Sequence, residues 1–266
     1  NGSGSASSHS LFARAILRMG VPVAARNIYP SNIQGLPTWY EVRVVESGWR
    51  GRRGGVDLMV AMNPQTWDKD VAEIDAGGYL FHDSTKPLPA SKFRDDVTAI
   101  GMPLTAICNA AYTDARQRQL FKNIIYLGAL SSLLGIEAAE IEQLFGEQYK
   151  GKEALLDSNR KAFHLGRDYA TDHLPPLTLA IERRDKVGKR VFLDGNSAGA
   201  LGAVYGGATV CAWYPITPSS SLAEAFAKHC KKLRSDKATG KNRFAIVQAE
   251  DELASIGMVI GAAWNG

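Results

Sequence analysis

Cysteine is scarce in this 266-residue chain, which contains only Cys108, Cys211 and Cys230. These residues are far apart and odd in number, so they form neither a disulfide framework nor a CxxC redox pair. They also cannot hold an iron–sulfur cluster or a zinc ion by themselves. No apolar run approaches the roughly 20 residues that a membrane span needs, and no secretory leader opens the sequence. We therefore expect a reduced, cytoplasmic protein without a membrane association.

Charge of one sign is also lacking, because 31 basic residues face 27 acidic ones and the net charge is only +4. The basic residues gather at Arg50–Arg53, Arg183–Arg190 and Lys228–Lys241. Each stretch contains or adjoins small polar residues, which is typical of solvated loops and helix ends. Nucleic-acid binders usually concentrate their charge on one face, so no nucleic-acid partner is expected. An acidic protein partner is compatible with this charge but is not required by it.

The glycine- and serine-rich opening of the chain precedes a helical pattern over Leu11–Met19. Such a turn offers free backbone N–H groups to a phosphate. A dinucleotide-binding fingerprint also needs a strand before the turn and an acidic residue about 20 positions later. No such strand is visible, and the first acidic residue is Glu41. The sequence thus gives little support to NAD binding.

Short apolar runs bounded by turn residues predict strands in the first part of the chain, and 3.6-residue periodicity predicts its helices. The predicted strands are Trp39–Val45, Val56–Ala61, Gly78–Phe81 and Leu104–Cys108, and the helices are Gln117–Leu134, Glu137–Phe145 and Lys152–Tyr169. Pro175-Pro176 and a charged stretch then mark a domain boundary, which we place after residue 185.

Residues 186–266 have a different composition, in which segments rich in glycine and alanine alternate with predicted short strands. The predicted strands are Val191–Leu193, Thr209–Trp213 and Phe244–Val247, and the helices are Ala198–Tyr205, Ser219–Leu233 and Glu252–Ala263. Alternating strands and helices indicate an α/β protein, built in this chain from two domains, 1–185 and 186–266.

Gly195–Gly199 matches the G-x-S-x-G nucleophile elbow, with Ser197 as the potential nucleophile. A hydrolase of that type also needs a histidine after the serine, and the only later histidine is His229. His229 lies within a predicted amphipathic helix, where a structural role is more common than a catalytic one. We interpret the motif as a tight turn into a helix and keep a serine hydrolase as an alternative hypothesis.

Tyr214–Pro218 is a more specific signal, because two prolines stiffen the loop that follows the predicted strand Thr209–Trp213. Thr217 fits the N-cap and Pro218 the first position of the next helix. Helix capping does not explain the whole rigid loop. Since α/β sheets bind ligands at the carboxyl ends of their strands, the loop is a candidate ligand site.

Glu250, Asp251 and Glu252 precede a helix that is apolar or small on nearly every face. Such a helix is expected to be buried all round. Acidic residues at its N-terminus suit the helix dipole, which is their structural explanation. Because the three carboxylates cannot all be solvated equally, we expect one to be desolvated and its pKa to be raised.

Several of these segments resemble the 2-oxoacid:ferredoxin oxidoreductases. Gly195–Gly207, Tyr214–Ser220 and Gln248–Gly261 resemble the pyrimidine-binding domain of that family, and Tyr29–Tyr40, Met62–Pro64 and Asp83–Thr85 resemble its γ domain. The resemblance implies a Rossmann-like γ domain followed by the start of a thiamine diphosphate-type pyrimidine-binding α/β domain. That order is similar to the α subunit of the two-subunit enzymes of the 2-oxoglutarate synthase type. We expect the chain to be a piece of such a subunit.

The resemblance implies an enzyme that decarboxylates a 2-oxoacid, with 2-oxoglutarate as the expected substrate, and forms an acyl-CoA. It implies thiamine diphosphate as cofactor, coenzyme A as co-substrate and ferredoxin as electron acceptor. Mg²⁺ and a [4Fe-4S] cluster are expected in a partner β subunit, so no metal ligand is predicted in this chain. The enzyme would be a hetero-oligomer that is active only with both subunits. A non-catalytic binding or scaffold subunit is the alternative.

The resemblance also implies roles for individual residues. Glu252 would hydrogen-bond N1′ of the cofactor's aminopyrimidine, with Glu250 or Asp251 as alternatives for this role, and Thr217 would lie near the reactive end of the cofactor. The residues expected to line the cofactor pocket are Tyr214, Pro215, Ile216, Thr217 and Pro218. The residues expected on the substrate and coenzyme A side are Ser31, Asn32, Gln34 and Gly35.

Overall fold

The computed structural model describes residues 5–28, 37–49, 51, 53–216 and 218–266. The chain divides into two compact units, Asn1–Arg190 and Val191–Gly266. This division lies at the end of the charged stretch that follows Pro175-Pro176, slightly beyond the boundary predicted at residue 185.

The first unit contains two small sheets and six α-helices in the ranges that the structure describes. Its strands are β1 (Val23–Ile28), β2 (Trp39–Val44), β3 (Val56–Ala61), β4 (Ile74–Asp83) and β5 (Thr98–Met102). Its helices are α1 (Ser5–Arg18), α2 (Trp67–Ala72), α3 (Leu104–Ala111), α4 (Ala115–Leu133), α5 (Ala138–Gln148) and α6 (Glu153–His173). Strands β1 and β2 form an antiparallel pair.

Strand β4 is the centre of a parallel sheet in the order β3-β4-β5. Successive side chains of a strand point to opposite faces, and both faces of β4 are covered. Tyr79 and Phe81 belong to the main apolar core, whereas Leu80 belongs to a second cluster with Trp67 and Val71 of α2. This two-sided burial explains why the run around Gly78–Phe81 is continuously apolar, and it confirms the predicted parallel strands at β3 and β4.

Helices α4 and α6 form the tightest helix pair of the first unit. A Cβ atom added at Gly128 would lie 2.0 Å from the carbonyl oxygen of Phe163, and one added at Gly166 would lie 1.8 Å from that of Ile125. The two backbones therefore touch at their glycines. Helix α4 ends before Gly135, which adopts a φ of 73° that glycine tolerates best. The predicted helices over residues 117–134, 137–145 and 152–169 are confirmed.

The strand predicted at Leu104–Cys108 is wrong, because these residues begin helix α3. The strand of this region is β5, which ends one residue before Pro103. Leu104 and Cys108 are both buried and lie four positions apart, so they share one face of the helix. A short apolar run next to a proline fits a buried strand and a buried helical turn equally well.

The second unit contains a parallel strand pair and three helices in its described residues. Its strands are β6 (Val210–Trp213) and β7 (Ala245–Gln248), and its helices are α7 (Gly195–Tyr205), α8 (Ser220–Leu233) and α9 (Glu252–Trp264). Helices α7 and α8 pack together around Ala200, Val204, Phe226 and Cys230. Helix α9 lies against β6.

Two expectations for this unit are wrong. Val191–Leu193 forms no strand, because no described strand pairs with these residues. Val191 is 79% exposed, so its apolar side chain does not contribute to a core. Helix α9 was expected to be buried all round, but none of its residues is buried, and Leu253 and Trp264 are 81% and 88% exposed. Its apolar side chains reflect a preference for burial that the described part of the chain does not satisfy.

Candidate functional site

Two motif-bearing segments meet at one edge of the β6–β7 pair. The strands run parallel with Trp213 opposite Gln248, and the N–H of Ala249 donates to the Trp213 carbonyl oxygen at 2.7 Å. Because the strands are parallel, the residues that follow both of them emerge at the same edge. Tyr214 and Glu252 are thereby brought together across 38 positions of sequence.

The central contact of the site is a hydrogen bond in which the Tyr214 hydroxyl donates to Oε1 of Glu252. This bond lowers the pKa of Glu252 below its ordinary value, because it stabilises the carboxylate form. The same bond to an anion raises the pKa of Tyr214. Glu252 is exposed. The expectation of a desolvated acid with a raised pKa is therefore wrong for Glu252.

The neighbouring acids have different roles. Asp251 is the N-cap of α9, and its Oδ1 accepts a hydrogen bond from the Ala254 N–H at 2.8 Å. This geometry confirms the capping role that the sequence suggested for the acidic triplet. Glu250 is exposed, and no side chain in the described ranges is bonded to it. Of the three carboxylates, that of Glu252 accepts a side-chain hydrogen bond from the described part of the Tyr214–Pro218 loop.

The Tyr214–Pro218 loop is tied to both flanking helices. Nδ2 of Asn196 donates to the Pro218 carbonyl oxygen at 2.8 Å and to Oγ of Ser221 at 2.7 Å. The Ile216 carbonyl oxygen accepts bonds from the Ser219 hydroxyl at 2.9 Å and from the Ser220 N–H at 3.1 Å. Asn196 was not predicted as a site residue, although its place beside Ser197 in the Gly195–Gly207 motif was a signal for it.

Pro215, Ile216 and Pro218 are exposed in this loop. Helix α8 begins at Ser220 with Ser219 as its N-cap, so Pro218 does not occupy the first helical position that we predicted. The predicted residue Thr217 lies outside the described residues, as do Ser31, Asn32, Gln34 and Gly35. The N-cap position predicted for Thr217 is wrong, because Ser219 is the N-cap of α8. The predicted cofactor, substrate and coenzyme A roles of these residues stay predictions.

The Gly195–Gly199 segment is a helix start and not a nucleophile elbow. Asp194 is the N-cap of α7, and it accepts bonds from the Ser197 N–H at 2.8 Å and from the Ser197 hydroxyl at 2.6 Å. The strand that an elbow requires before the serine does not form at Val191–Leu193. Ser197 is held by a capping carboxylate, so the structure gives the hydrolase hypothesis no support.

A second carboxylate lies at the carboxyl end of β4 in the first unit. Asp83 accepts bonds from Nζ of Lys122 at 2.6 Å, from the Thr85 hydroxyl at 2.6 Å and from the Thr105 N–H and hydroxyl. Burial raises the pKa of Asp83, but these bonds outweigh burial and hold the pKa well below its usual range. The Asp83–Thr85 motif thus fastens β4 to α3 and α4.

Within the described ranges, no group of three or more His, Cys, Asp and Glu side chains could hold a metal ion. No helix in that part of the chain is long and apolar enough to cross a membrane. Cys108, Cys211 and Cys230 are all free thiols.

Comparison with known proteins assigns both units. The family model described as pyruvate ferredoxin/flavodoxin oxidoreductase matches residues 1–169. A model for the thiamine diphosphate-binding domain of pyruvate flavodoxin/ferredoxin oxidoreductases matches residues 201–266. The second match contains both Tyr214 and Glu252.

Subunit alpha of 2-oxoacid:ferredoxin oxidoreductase 2 from Aeropyrum pernix is 28% identical over 312 residues, covering 100% of this chain and 48% of that subunit. The 2-oxoglutarate synthase subunit KorA from Methanocaldococcus jannaschii is 43% identical over 75 residues, covering 28% of this chain and 18% of its own length. The chain thus spans about half the length of relatives such as the Aeropyrum subunit.

The solved structure of 2-oxoglutarate:ferredoxin oxidoreductase from Magnetococcus marinus, with 2-oxoglutarate, coenzyme A and succinyl-CoA bound, superposes with a TM-score of 0.79. It is 27% identical, and the match covers 100% of this chain and 44% of that one. These matches confirm the predicted fold class, an α/β domain followed by the start of a thiamine diphosphate-type α/β domain.

Proposed function

Because the chain belongs to the pyruvate ferredoxin/flavodoxin oxidoreductase family, we propose that it forms part of the α subunit of a 2-oxoglutarate:ferredoxin oxidoreductase. The enzyme would oxidatively decarboxylate 2-oxoglutarate to its acyl-CoA and pass the electrons to ferredoxin. The names of the relatives from Aeropyrum and Methanocaldococcus support the reaction class and the substrate. The bound molecules of the Magnetococcus enzyme support 2-oxoglutarate and coenzyme A.

The observation that carries the proposal is the meeting of Tyr214 and Glu252 at the carboxyl edge of β6 and β7. A carboxylate at this edge is able to exchange a proton with a ring nitrogen of a bound ligand. Tyr214 bonds one of its oxygens, and no other side chain in the described ranges forms a hydrogen bond with this carboxylate. The hydroxyl oxygen of Ser255, one turn further along α9, is buried without a described partner.

This donor set fits the aminopyrimidine of thiamine diphosphate, whose N1′ hydrogen-bonds a carboxyl group. When bound, thiamine diphosphate supplies the carbon nucleophile and the electron sink for decarboxylation. Glu252 would hold the proton at N1′, and the loop residues Tyr214, Pro215, Ile216 and Pro218 would line the pocket. Thr217 would lie near the reactive end of the cofactor. Since the Tyr214 bond keeps Glu252 ionised, cofactor binding would take up a proton.

The remaining components belong to the assembled enzyme. We assign Mg²⁺ and the [4Fe-4S] cluster to a partner β subunit, and we propose a cytoplasmic hetero-oligomer that reduces ferredoxin. The names of relatives as alpha subunits support a partner subunit. Ser31, Asn32, Gln34 and Gly35 are proposed to face the substrate and coenzyme A.

The direct test uses the full-length subunit, co-expressed with its neighbouring subunit and purified without oxygen. Viologen reduction is followed with 2-oxoglutarate, coenzyme A and thiamine diphosphate. Glu252→Gln keeps the size of the side chain but removes its proton exchange, so the rate should fall at least about 100-fold. Glu224→Gln is the matched control, because Glu224 is an exposed glutamate on α8 of the same unit. This control should retain the wild-type rate.

Calorimetric titration of thiamine diphosphate, in buffers that differ in ionisation enthalpy, counts the protons taken up on binding. Glu252→Gln should lower this count by about one proton, and Glu224→Gln should leave it unchanged. Activity with pyruvate but not with 2-oxoglutarate would support the proposed reaction type and refute 2-oxoglutarate as the substrate. If no 2-oxoacid supports viologen reduction in a complex shown to contain its cluster and cofactor, the enzymatic function is refuted in favour of a scaffold subunit.

A further inference from the structure

The carboxylate of Glu252 is held by a single side chain among the described residues, that of Tyr214. A glutamate side chain has three rotatable bonds, and fixing an exposed one costs conformational entropy. Without a partner, Glu252 would sample many orientations at the start of α9. The hydroxyl of Tyr214 selects the orientation in which Oε1 faces the end of β6.

Both residues are anchored by the backbone around them. Tyr214 directly follows Trp213, the last residue of β6, which is in register with Gln248. Glu252 directly follows Asp251, whose side chain caps α9 through the Ala254 N–H. The distance between phenol and carboxylate is therefore set by the sheet and the helix cap.

The direction of the hydrogen bond follows from the charges. The bond lowers the pKa of Glu252 and raises the pKa of Tyr214, so the phenol donates and the carboxylate accepts at neutral pH. Asp251 is the neighbouring charged group that affects both residues, and its negative charge favours the protonated form of each. Because Tyr214 keeps its proton, it is not suited to remove a proton from a ligand.

We propose that Tyr214 is a positioning residue: by holding Oε1 of Glu252, it presents the other carboxylate oxygen to N1′ of the aminopyrimidine. The inference rests on the proposed function, and it gives Tyr214 a role different from lining the pocket. A positioning residue acts through its partner, so its effect should disappear when the carboxylate is removed.

The test follows the exchange of the C2 hydrogen of bound thiamine diphosphate for deuterium, measured by NMR after rapid quenching of the full complex. Tyr214→Phe removes only the hydroxyl. It should leave the dissociation constant of the cofactor within about threefold of wild type and slow the exchange about tenfold, the effect of losing one hydrogen bond to a charged group. Tyr205→Phe is the matched control, since Tyr205 is 77% exposed in the same unit.

Glu252→Gln with and without Tyr214→Phe completes a double-mutant cycle. In the Glu252→Gln background, Tyr214→Phe should change the exchange rate by less than about twofold. Glu252→Asp shortens the side chain by one methylene group and so moves the carboxylate away from the Tyr214 hydroxyl. This variant therefore gives a second measurement of what the hydrogen bond contributes to the exchange rate. It should slow the exchange as Tyr214→Phe does, and adding Tyr214→Phe should slow it no further. If Tyr214→Phe yields poorly folded complex, Glu252→Asp is measured alone, and a wild-type exchange rate in that variant would overturn the inference.

An exchange rate in Tyr214→Phe within about twofold of wild type would overturn the inference, because the hydroxyl would then not orient the carboxylate. An undiminished effect in the Glu252→Gln background would also overturn it, since Tyr214 would then act independently of Glu252. A wild-type complex that fails to bind thiamine diphosphate would instead overturn the proposed function, and this inference with it.

Discussion

The close approach of α4 and α6 at Gly128 and Gly166 predicts a loss of stability from a single added methyl group at either glycine. At Gly128 the new Cβ atom would lie 2.0 Å from the Phe163 carbonyl oxygen, and at Gly166 it would lie 1.8 Å from the Ile125 carbonyl oxygen. An ordinary carbon–oxygen contact is about 3.3 Å. The helices would therefore have to separate by about 1 Å, because a backbone carbonyl cannot rotate away as a side chain can.

The expected magnitude follows from two opposing effects. A gap of 0.5–1 Å forfeits about a quarter to a half of the dispersion energy of each contact along the interface, and overpacking typically costs about 1–3 kcal/mol or more. Replacing glycine by alanine inside a helix returns about 1 kcal/mol through backbone entropy. With a cost near the upper end of that range and about 1 kcal/mol returned, we expect the free energy of unfolding of the first unit to fall by about 2 kcal/mol for either Gly128→Ala or Gly166→Ala.

Hydrogen–deuterium exchange of peptides from α4 and α6 measures this change in the first unit alone, and urea midpoints give an independent value. Gly146→Ala in α5 is the matched control, because no atom lies within 4 Å of its added Cβ. This control should raise the free energy of unfolding by up to about 1 kcal/mol. If both interface variants unfold within about 0.5 kcal/mol of wild type, the close approach of the two backbones is wrong.

Two further predictions concern the sheet β3-β4-β5. Asp83→Asn removes the negative charge to which Lys122 and Thr105 donate hydrogen bonds. It should lower the free energy of unfolding, measured with urea at neutral pH, by about 2 kcal/mol. Asp95→Asn is the control and should leave that free energy unchanged, because Asp95 is exposed. Since the folded pKa of Asp83 is depressed, this contribution should persist above about pH 4 and be lost below it, as the pH falls towards the folded pKa. Burial lowers the pKa of His82, so the unfolded chain binds its proton first and stability should fall as the pH drops below about 6.5. His82→Phe should remove that part of the pH dependence of the urea midpoint, and an unchanged slope would contradict this assignment.

Periodicity predicted the long helices and most strands of this chain, because their burial follows one regular pattern. It failed at Leu104–Cys108, where the apolar run predicted a strand. The structure has a helix there, and its buried residues Leu104 and Cys108 lie four positions apart. It also failed at α9, whose apolar surface predicted burial on every side. A sequence pattern shows that a surface prefers burial, but it does not show what covers that surface.

The candidate site was predicted in its residues but not in its contacts. Tyr214 and Glu252 were both identified from the sequence, yet their hydrogen bond depends on the parallel pairing of β6 with β7. The predicted direction of the pKa shift was wrong for the same reason, since it assumed burial and did not include the phenol. Spacing along the chain cannot show which carboxylate receives a donor from a distant segment.

The two carboxylates at strand ends show why one is a structural group and the other a candidate for chemistry. Asp83 accepts bonds from Lys122, Thr85 and Thr105, so a ligand would have to displace existing partners to reach it. Glu252 has one side-chain hydrogen-bond partner among the described residues, the hydroxyl of Tyr214. A proton shared with a ligand needs a carboxylate that is oriented but not fully satisfied. Glu252 meets that condition and Asp83 does not, although both lie at the carboxyl edges of parallel sheets.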